Sequence, residues 1–415
     1  MQRYRNAREA VDDLRPDVPI YGFRPQVLQQ DAQRFLAVFP GKTAYAVKTN
    51  GEPAILENLV AAGVGTFDVA SPQEFVAARG AKPDCELLYM HPVKAQSDIR
   101  LAFEQYRIRS ISLDHEDEVA KVLRIVRALD IDPATITVFV RLATKGHAAY
   151  ELSKKFGAAP GHATELVQRI ASIGFRVGLC FHVGSQVEDI GSYRDALTIA
   201  AQVRRDAGAE IAALDIGGGF PAPYRHEGNA GPAVPEIEQM MPRILKEIDA
   251  AGFGDVPLIA EPGRVIVARC LSVIVRVLLR KGRRIYINDG IWSSLSDSWT
   301  GKIMLPARFL PDPARKRRAG KDELVPFRVC GATCDSVDIL SRPFFLPDTI
   351  DTGDWIEIGH IGAYSLSLRT RFNGFYPDTF VEIETPFEEA PGARGYASVE
   401  TMGDVPGDDS AFGEN

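Results

Sequence analysis

Short apolar runs alternate with helical patterns through the first two thirds of the chain. Thr43-Ala44-Tyr45-Ala46-Val47 is such a run and closes on Lys48-Thr49-Asn50. Residues 65–70, 87–90, 110–113, 136–140, 177–182, 211–217 and 257–260 repeat the pattern, giving eight strand candidates in all. Residues 27–38, 54–62, 116–129 and 163–173 carry apolar positions at helical spacing between them. Ser71-Pro72-Gln73-Glu74 predicts a helix start, with a hydroxyl cap, proline in the first turn and glutamate at the third position. Strand and helix alternating in this way predict a parallel sheet closed into a (β/α)8 TIM barrel over residues 23–265.

Beyond residue 265 the texture changes. Short β-branched runs at 271–277, 284–288, 324–329, 355–358 and 379–383 are separated by turn residues. They predict a mostly β second domain, sandwich-like or barrel-like, over 266–386. The polar segment 1–22 is expected to join that domain. The Gly-, Asp-, Glu- and Ala-rich stretch 387–415 is expected to be disordered.

Composition narrows the function classes. The 415 residues are 45% hydrophobic and carry a net charge of -7, which disfavours a nucleic-acid partner. The basic tetrad Arg315-Lys316-Arg317-Arg318 lies in a Pro-rich stretch and reads as a solvated loop. No apolar run is long enough to span a bilayer, and the first residues lack the apolar core of a signal peptide. The five cysteines are scattered, without metal-type spacing, so a reducing cytoplasm and no metal are expected.

Candidate chemistry concentrates where strands open into loops, as it does at the mouths of barrel enzymes. Lys48 follows a buried run, where partial desolvation makes an amine a nucleophile or Schiff-base former. A solvated strand-end lysine is the plainer alternative. Asp215-Ile216-Gly217-Gly218-Gly219-Phe220-Pro221 ends another run with glycines that suit either an anion cradle or a tight turn. Phe181-His182-Val183-Gly184-Ser185-Gln186 offers an imidazole and a hydroxyl. Glu261-Pro262-Gly263-Arg264 offers a carboxylate and a guanidinium that suits phosphate, or else a simple ion pair. Cys330-Gly331-Ala332-Thr333-Cys334-Asp335 places a thiol beside a carboxylate in a polar loop.

These motifs, with Gly362-Ala363-Tyr364 and Phe372-Asn373-Gly374-Phe375, follow one another in a known order. Over about residues 20–385 the chain resembles the fold-type III pyridoxal 5'-phosphate (PLP) decarboxylases, the ornithine decarboxylases in particular. The resemblance implies a homodimer with active sites shared across its interface. It implies Lys48 as the Schiff-base lysine, His182 stacked on the ring and Glu261 at the pyridine nitrogen. Ser185, Gly219, Arg264 and Tyr364 would hold the phosphate, with Gly218 and Gly263 in the same segments, while Asp68 and Arg141 support Lys48. Cys334 would return a proton after decarboxylation, and Asp335 would meet the substrate's distal ammonium, both reaching the partner's site. The family's second distal carboxylate is not at its usual place, where this chain has Gly301; Asp297 is the nearest substitute. The expected activity is decarboxylation of L-ornithine or a related basic amino acid. A longer or modified diamino acid and a catalytically inactive regulator are the alternatives.

Overall fold

The computed structural model describes residues 1–144, 155–224, 234–301, 303–320 and 323–388. Of the expected tail 387–415, residues 389–415 lie outside the described residues. The chain divides into two compact units. One comprises the described residues of Gln29–Ala222 and Pro235–Ile266; the other comprises those of Met1–Leu28, Pro223–Val234 and the chain from Val267 onward.

In the first unit eight strands pair in parallel and close into a barrel. They are Lys42–Ala46, Thr66–Val69, Glu86–Tyr89, Ser110–Leu113, Thr137–Arg141, Arg176–Cys180, Ala213–Asp215 and Leu258–Ala260. The last pairs with the first through Ile259↔Lys42 and Ala260↔Thr43. These strands read as nearly continuous apolar runs because helices cover the sheet outside and side chains fill it inside. The Ser71 prediction holds. Helix Pro72–Ala81 starts there, the Ser71 hydroxyl accepts from Glu74 N–H (3.4 Å), and the Glu74 carboxylate accepts from Ala70 N–H (2.6 Å).

The second unit is mostly β, as expected. A mixed nine-stranded sheet runs Gln2–Tyr4, Thr379–Ile383, Ile20–Phe23, Leu271–Lys281, Arg284–Ile287, Leu324–Cys330 and Phe344–Pro347. Trp355–Ile358 pairs with Leu271–Lys281 and with Ala307–Leu310, forming a branch. The polar segment at the N-terminus is more structured than its composition suggests. It holds a strand and the helix Ala7–Leu14, which buries only Ala7, Ala10 and Val11, too few positions to register as a periodic pattern.

Glu357 is fully buried in this unit and is compensated by three donors. Arg24 Nη2 and Arg308 Nη2 each donate to it at 2.6 Å, and Ser272 Oγ donates at 2.8 Å. Arg24 in turn donates to the carbonyls of Thr385 (2.8 Å) and Gly22 (3.2 Å). The two guanidiniums outweigh the cost of burial and hold the Glu357 carboxyl below its usual pKa.

Among the described residues, no helix is long and apolar enough to cross a membrane.

Candidate active site

The strand Lys42–Ala46 gives way to a single 3-10 turn, Val47–Thr49, that carries Lys48. Two bonds fix the turn: Tyr45 Oη donates to Asn50 O (3.0 Å), and Ala46 N–H donates to Pro262 O (3.1 Å). Gly263 brings the Glu261–Arg264 segment against it, since a Cβ at that position would collide with Thr49 Oγ1. Lys48 Nζ stands 3.7 Å from Asp68 Oδ2, the amine side chain 44% exposed and the carboxylate 6%. Burial pushes the Asp68 carboxyl up, while the Lys48 and Arg141 cations pull it back.

His182 follows the strand Arg176–Cys180. Its Nδ1 accepts from Gly184 N–H at 3.1 Å, which assigns the proton of a neutral ring to Nε2. Loss of water, reinforced by the nearby Lys48 and Arg141 cations, holds its pKa well below the usual value. The ring is therefore neutral at physiological pH and suited to stacking on a flat partner. Gly218 lies alongside: a Cβ there would stand 2.5 Å from Glu261 O and 3.4 Å from His182 Nε2. Tyr193 Oη, from helix Gly191–Ala207, donates to Gly218 O (2.9 Å), and Val187 N–H donates to Gly219 O (2.9 Å). Arg264 Nε donates to Ser185 Oγ at 3.2 Å. A buried guanidinium, a hydroxyl and a glycine turn thus meet on the barrel's C-terminal side, a set that suits an oxyanion.

Glu261 follows the strand Leu258–Ala260 and is buried. Burial first, then the charges of Asp215 and Asp68, push its carboxyl well above the usual range. Asp215 is fully buried and pushed up to about 7, chiefly by burial, and its Oδ2 has no hydrogen-bond partner. Three buried carboxylates thus face the two cations Lys48 and Arg141. The set lacks one positive charge, which the protonated ring nitrogen of the cofactor implied by the resemblance would supply.

The sequence-predicted residues Lys48, Asp68, Arg141, His182, Ser185, Gly218, Gly219, Glu261, Gly263 and Arg264 are thus brought together in the barrel unit. Asp215 and Tyr193 were missed. Asp215 stands at the head of the Asp-Ile-Gly-Gly-Gly motif, whose glycines are the more conspicuous signal; Tyr193 has no local signal.

The remaining candidates lie in the β unit. Cys334 is exposed, and its N–H and thiol both donate to Asn373 Oδ1, at 3.1 and 3.2 Å. Asp335 Oδ1 accepts from Val337 N–H (3.1 Å). Asp338 anchors this loop, accepting from Thr333 Oγ1 (2.6 Å) and Ile291 N–H (2.9 Å). Tyr364 holds a left-handed backbone (φ 58°), uncommon for an aromatic residue. Asp297 sits in the short helix Ser296–Thr300 and is 6% exposed, unlike the half-exposed Asp335. Trp292 packs against Trp299 (6.2 Å between centroids) and Phe372 (6.0 Å). Its Nε1 is buried without a hydrogen-bond partner among the described residues. No group of three or more His, Cys, Asp or Glu placed to hold a metal occurs among the described residues.

A family profile described as the pyridoxal-binding domain of pyridoxal-dependent decarboxylases matches residues 26–268. The lysine/ornithine decarboxylase of Selenomonas ruminantium is 32% identical over 347 residues, covering 80% of this chain and 81% of the relative. Antizyme inhibitor 2 of Xenopus laevis is 29% identical over 371 residues, covering 82% and 76%. Among solved structures, the lysine/ornithine decarboxylase of Vibrio vulnificus complexed with putrescine superposes with a TM-score of 0.74 at 27% identity, covering 92% of this chain and 99% of that one.

Proposed function

Since the chain belongs to the pyridoxal-dependent decarboxylase family and is a PLP-dependent amino-acid decarboxylase, we propose that its substrate is a basic amino acid. L-ornithine or a close relative would give CO2 and a putrescine-type diamine. The names of the Selenomonas and Vibrio relatives support this range.

The residues divide the work. Lys48 would carry the cofactor through its amine, held in place by Asp68 and Arg141. Ser185, Arg264 and Tyr364, with the glycines 218, 219 and 263, would bind the phosphate. Neutral His182 would pack on the ring face. Glu261 would hold the ring nitrogen protonated, since a buried carboxylate stabilises a cation beside it. The bound cofactor supplies an electron sink for the pair left behind as CO2 departs. Cys334 would then deliver a proton to the α-carbon, and Asp335 would meet the distal ammonium. Both would act in the partner's site of a homodimer.

The observation that carries this reading is the buried Glu261, raised in pKa and short of one positive charge beside Lys48. A carboxylate there favours decarboxylation, because it keeps the ring at its most electron-withdrawing.

One observation favours a second reading of the substrate. Asp297 is buried, leaving the half-buried Asp335 as the more accessible carboxylate of the two, and Trp299 and Phe372 stand 43% and 44% exposed around Trp292. An aromatic wall with one carboxylate suits a longer or N-modified diamino acid.

The test is CO2 release from the PLP-loaded protein over a panel: ornithine, lysine, arginine, diaminopimelate and carboxyalkyl or acylated diamines. Turnover of ornithine or lysine supports the first reading, and preference for the modified compounds supports the second. No release from any of them, with PLP bound, would favour an inactive regulator, a role consistent with similarity to an antizyme inhibitor.

A further inference from the structure

Asp215 has no part in the roles above, yet it is fully buried at the mouth of the barrel. Its two oxygens are used differently. Oδ1 accepts from Gly217 N–H at 2.8 Å, and Gly217 O accepts from Glu261 N–H at 2.8 Å. Two hydrogen bonds therefore run from the Asp215 carboxylate to the Glu261 main chain. Oδ2 is buried and unpartnered. Glu261 comes from the neighbouring strand, whose Ile259 is in register with Asp215.

The charges around this pair come from several elements. Lys48 follows the first strand, Asp68 sits in the second, and Arg141 ends Thr137–Arg141. Cys180 ends Arg176–Cys180, and its buried thiol is pushed well up in pKa, so it is neutral. His182 is neutral for the reasons given above. Two cations thus oppose three carboxylates. Two ionised carboxylates side by side in a low-dielectric site repel strongly, and such a pair commonly retains one proton.

We propose that Asp215 is a positioning residue that makes Glu261 specific for a cationic ring nitrogen: the Asp215–Glu261 pair holds one proton in the cofactor-free protein and gives it up when the cofactor binds. The inference rests on the reading that PLP binds in this barrel. Free PLP carries a proton on its ring nitrogen at neutral pH, so the balance is simple. One carboxyl O–H bond of the pair breaks, its proton passes to solvent, and the N–H already on the ring replaces it opposite Glu261. Both carboxylates are then ionised and the third positive charge is in place.

The test is calorimetric titration of cofactor-free protein with PLP near neutral pH, in buffers of different ionisation enthalpy, which counts protons exchanged. Wild type is expected to release about one more proton than Asp215→Asn, because the amide leaves only Glu261 and Asp68 opposite the two cations Lys48 and Arg141, with no third carboxylate to hold a proton. A merely structural Asp215 would change affinity without changing that count, and equal counts in the two proteins overturn the proposal. Difference infrared spectroscopy on wild type alone needs no variant. A protonated-carboxyl band lost on PLP binding supports the stored proton, and an unchanged band overturns it. Failure of PLP to bind at all would instead refute the reading of the site.

Discussion

Glu357 in the β unit and Glu261 in the barrel are both buried carboxylates, and their surroundings push them in opposite directions. Glu357 has Arg24, Arg308 and Ser272 within hydrogen-bonding distance and is held below its usual pKa. Glu261 has Asp215 and Asp68 for neighbours and is pushed well above it. Burial costs both; what differs is whether the protein supplies the counter-charge itself. A buried charge compensated from within ties segments of the chain together. One left short of compensation is poised for a cationic ligand, which is why strongly raised carboxyls mark functional sites.

Removing a cation from the compensated cluster should have the largest effect. Arg24→Met leaves Glu357 buried with one guanidinium, and a loss of about 3–5 kcal/mol is expected in denaturant unfolding. A loss near zero would erase the distinction between the clusters.

Cys334→Ala comes next and should leave both clusters intact. PLP affinity and folding are expected to hold while turnover falls by about 10²-fold or more, as for loss of a general acid. Unchanged amine production would remove Cys334 from the reaction.

The pH dependence of stability separates the clusters more finely. Glu357, depressed in the folded state, contributes stability above its unfolded pKa of about 4.3 that is lost as pH falls through the folded value. Asp215, raised to about 7, works in reverse. Its contribution is present below an unfolded pKa of about 3.9 and is lost as pH rises toward 7. The denaturation midpoint of cofactor-free Asp215→Asn should therefore fall less between those pH values than that of wild type. Identical slopes would contradict the assigned direction.

The smallest expected effect is a control outside both clusters. Ser71→Ala removes the cap of helix Pro72–Ala81 and should cost about 1 kcal/mol without affecting PLP binding.

The sequence made the barrel legible because its strands are buried on both faces and end in residues of distinctive chemistry. Lys48, His182 and Glu261 each close an apolar run, so strand ends and candidate site residues could be found together. The β unit was harder to read. Leu271–Lys281 pairs with three different strands along its length, and no single run announces such branching. The N-terminal strands also pair with Thr379–Ile383 across nearly the whole chain. The charge clusters were legible only in part. Arg24 and Glu357 lie 333 positions apart, and no local pattern links them. Asp215 was visible as a residue, but not its unpartnered oxygen, which is a fact of three-dimensional packing.

The most direct test of the central claim is borohydride reduction of the PLP-loaded protein followed by peptide mass spectrometry. The undercompensated cluster beside Lys48 predicts a single reduced pyridoxyl adduct on Lys48, absent from Lys48→Ala together with the visible absorbance of the bound cofactor. An adduct on another lysine, or absorbance retained in Lys48→Ala, would contradict the account.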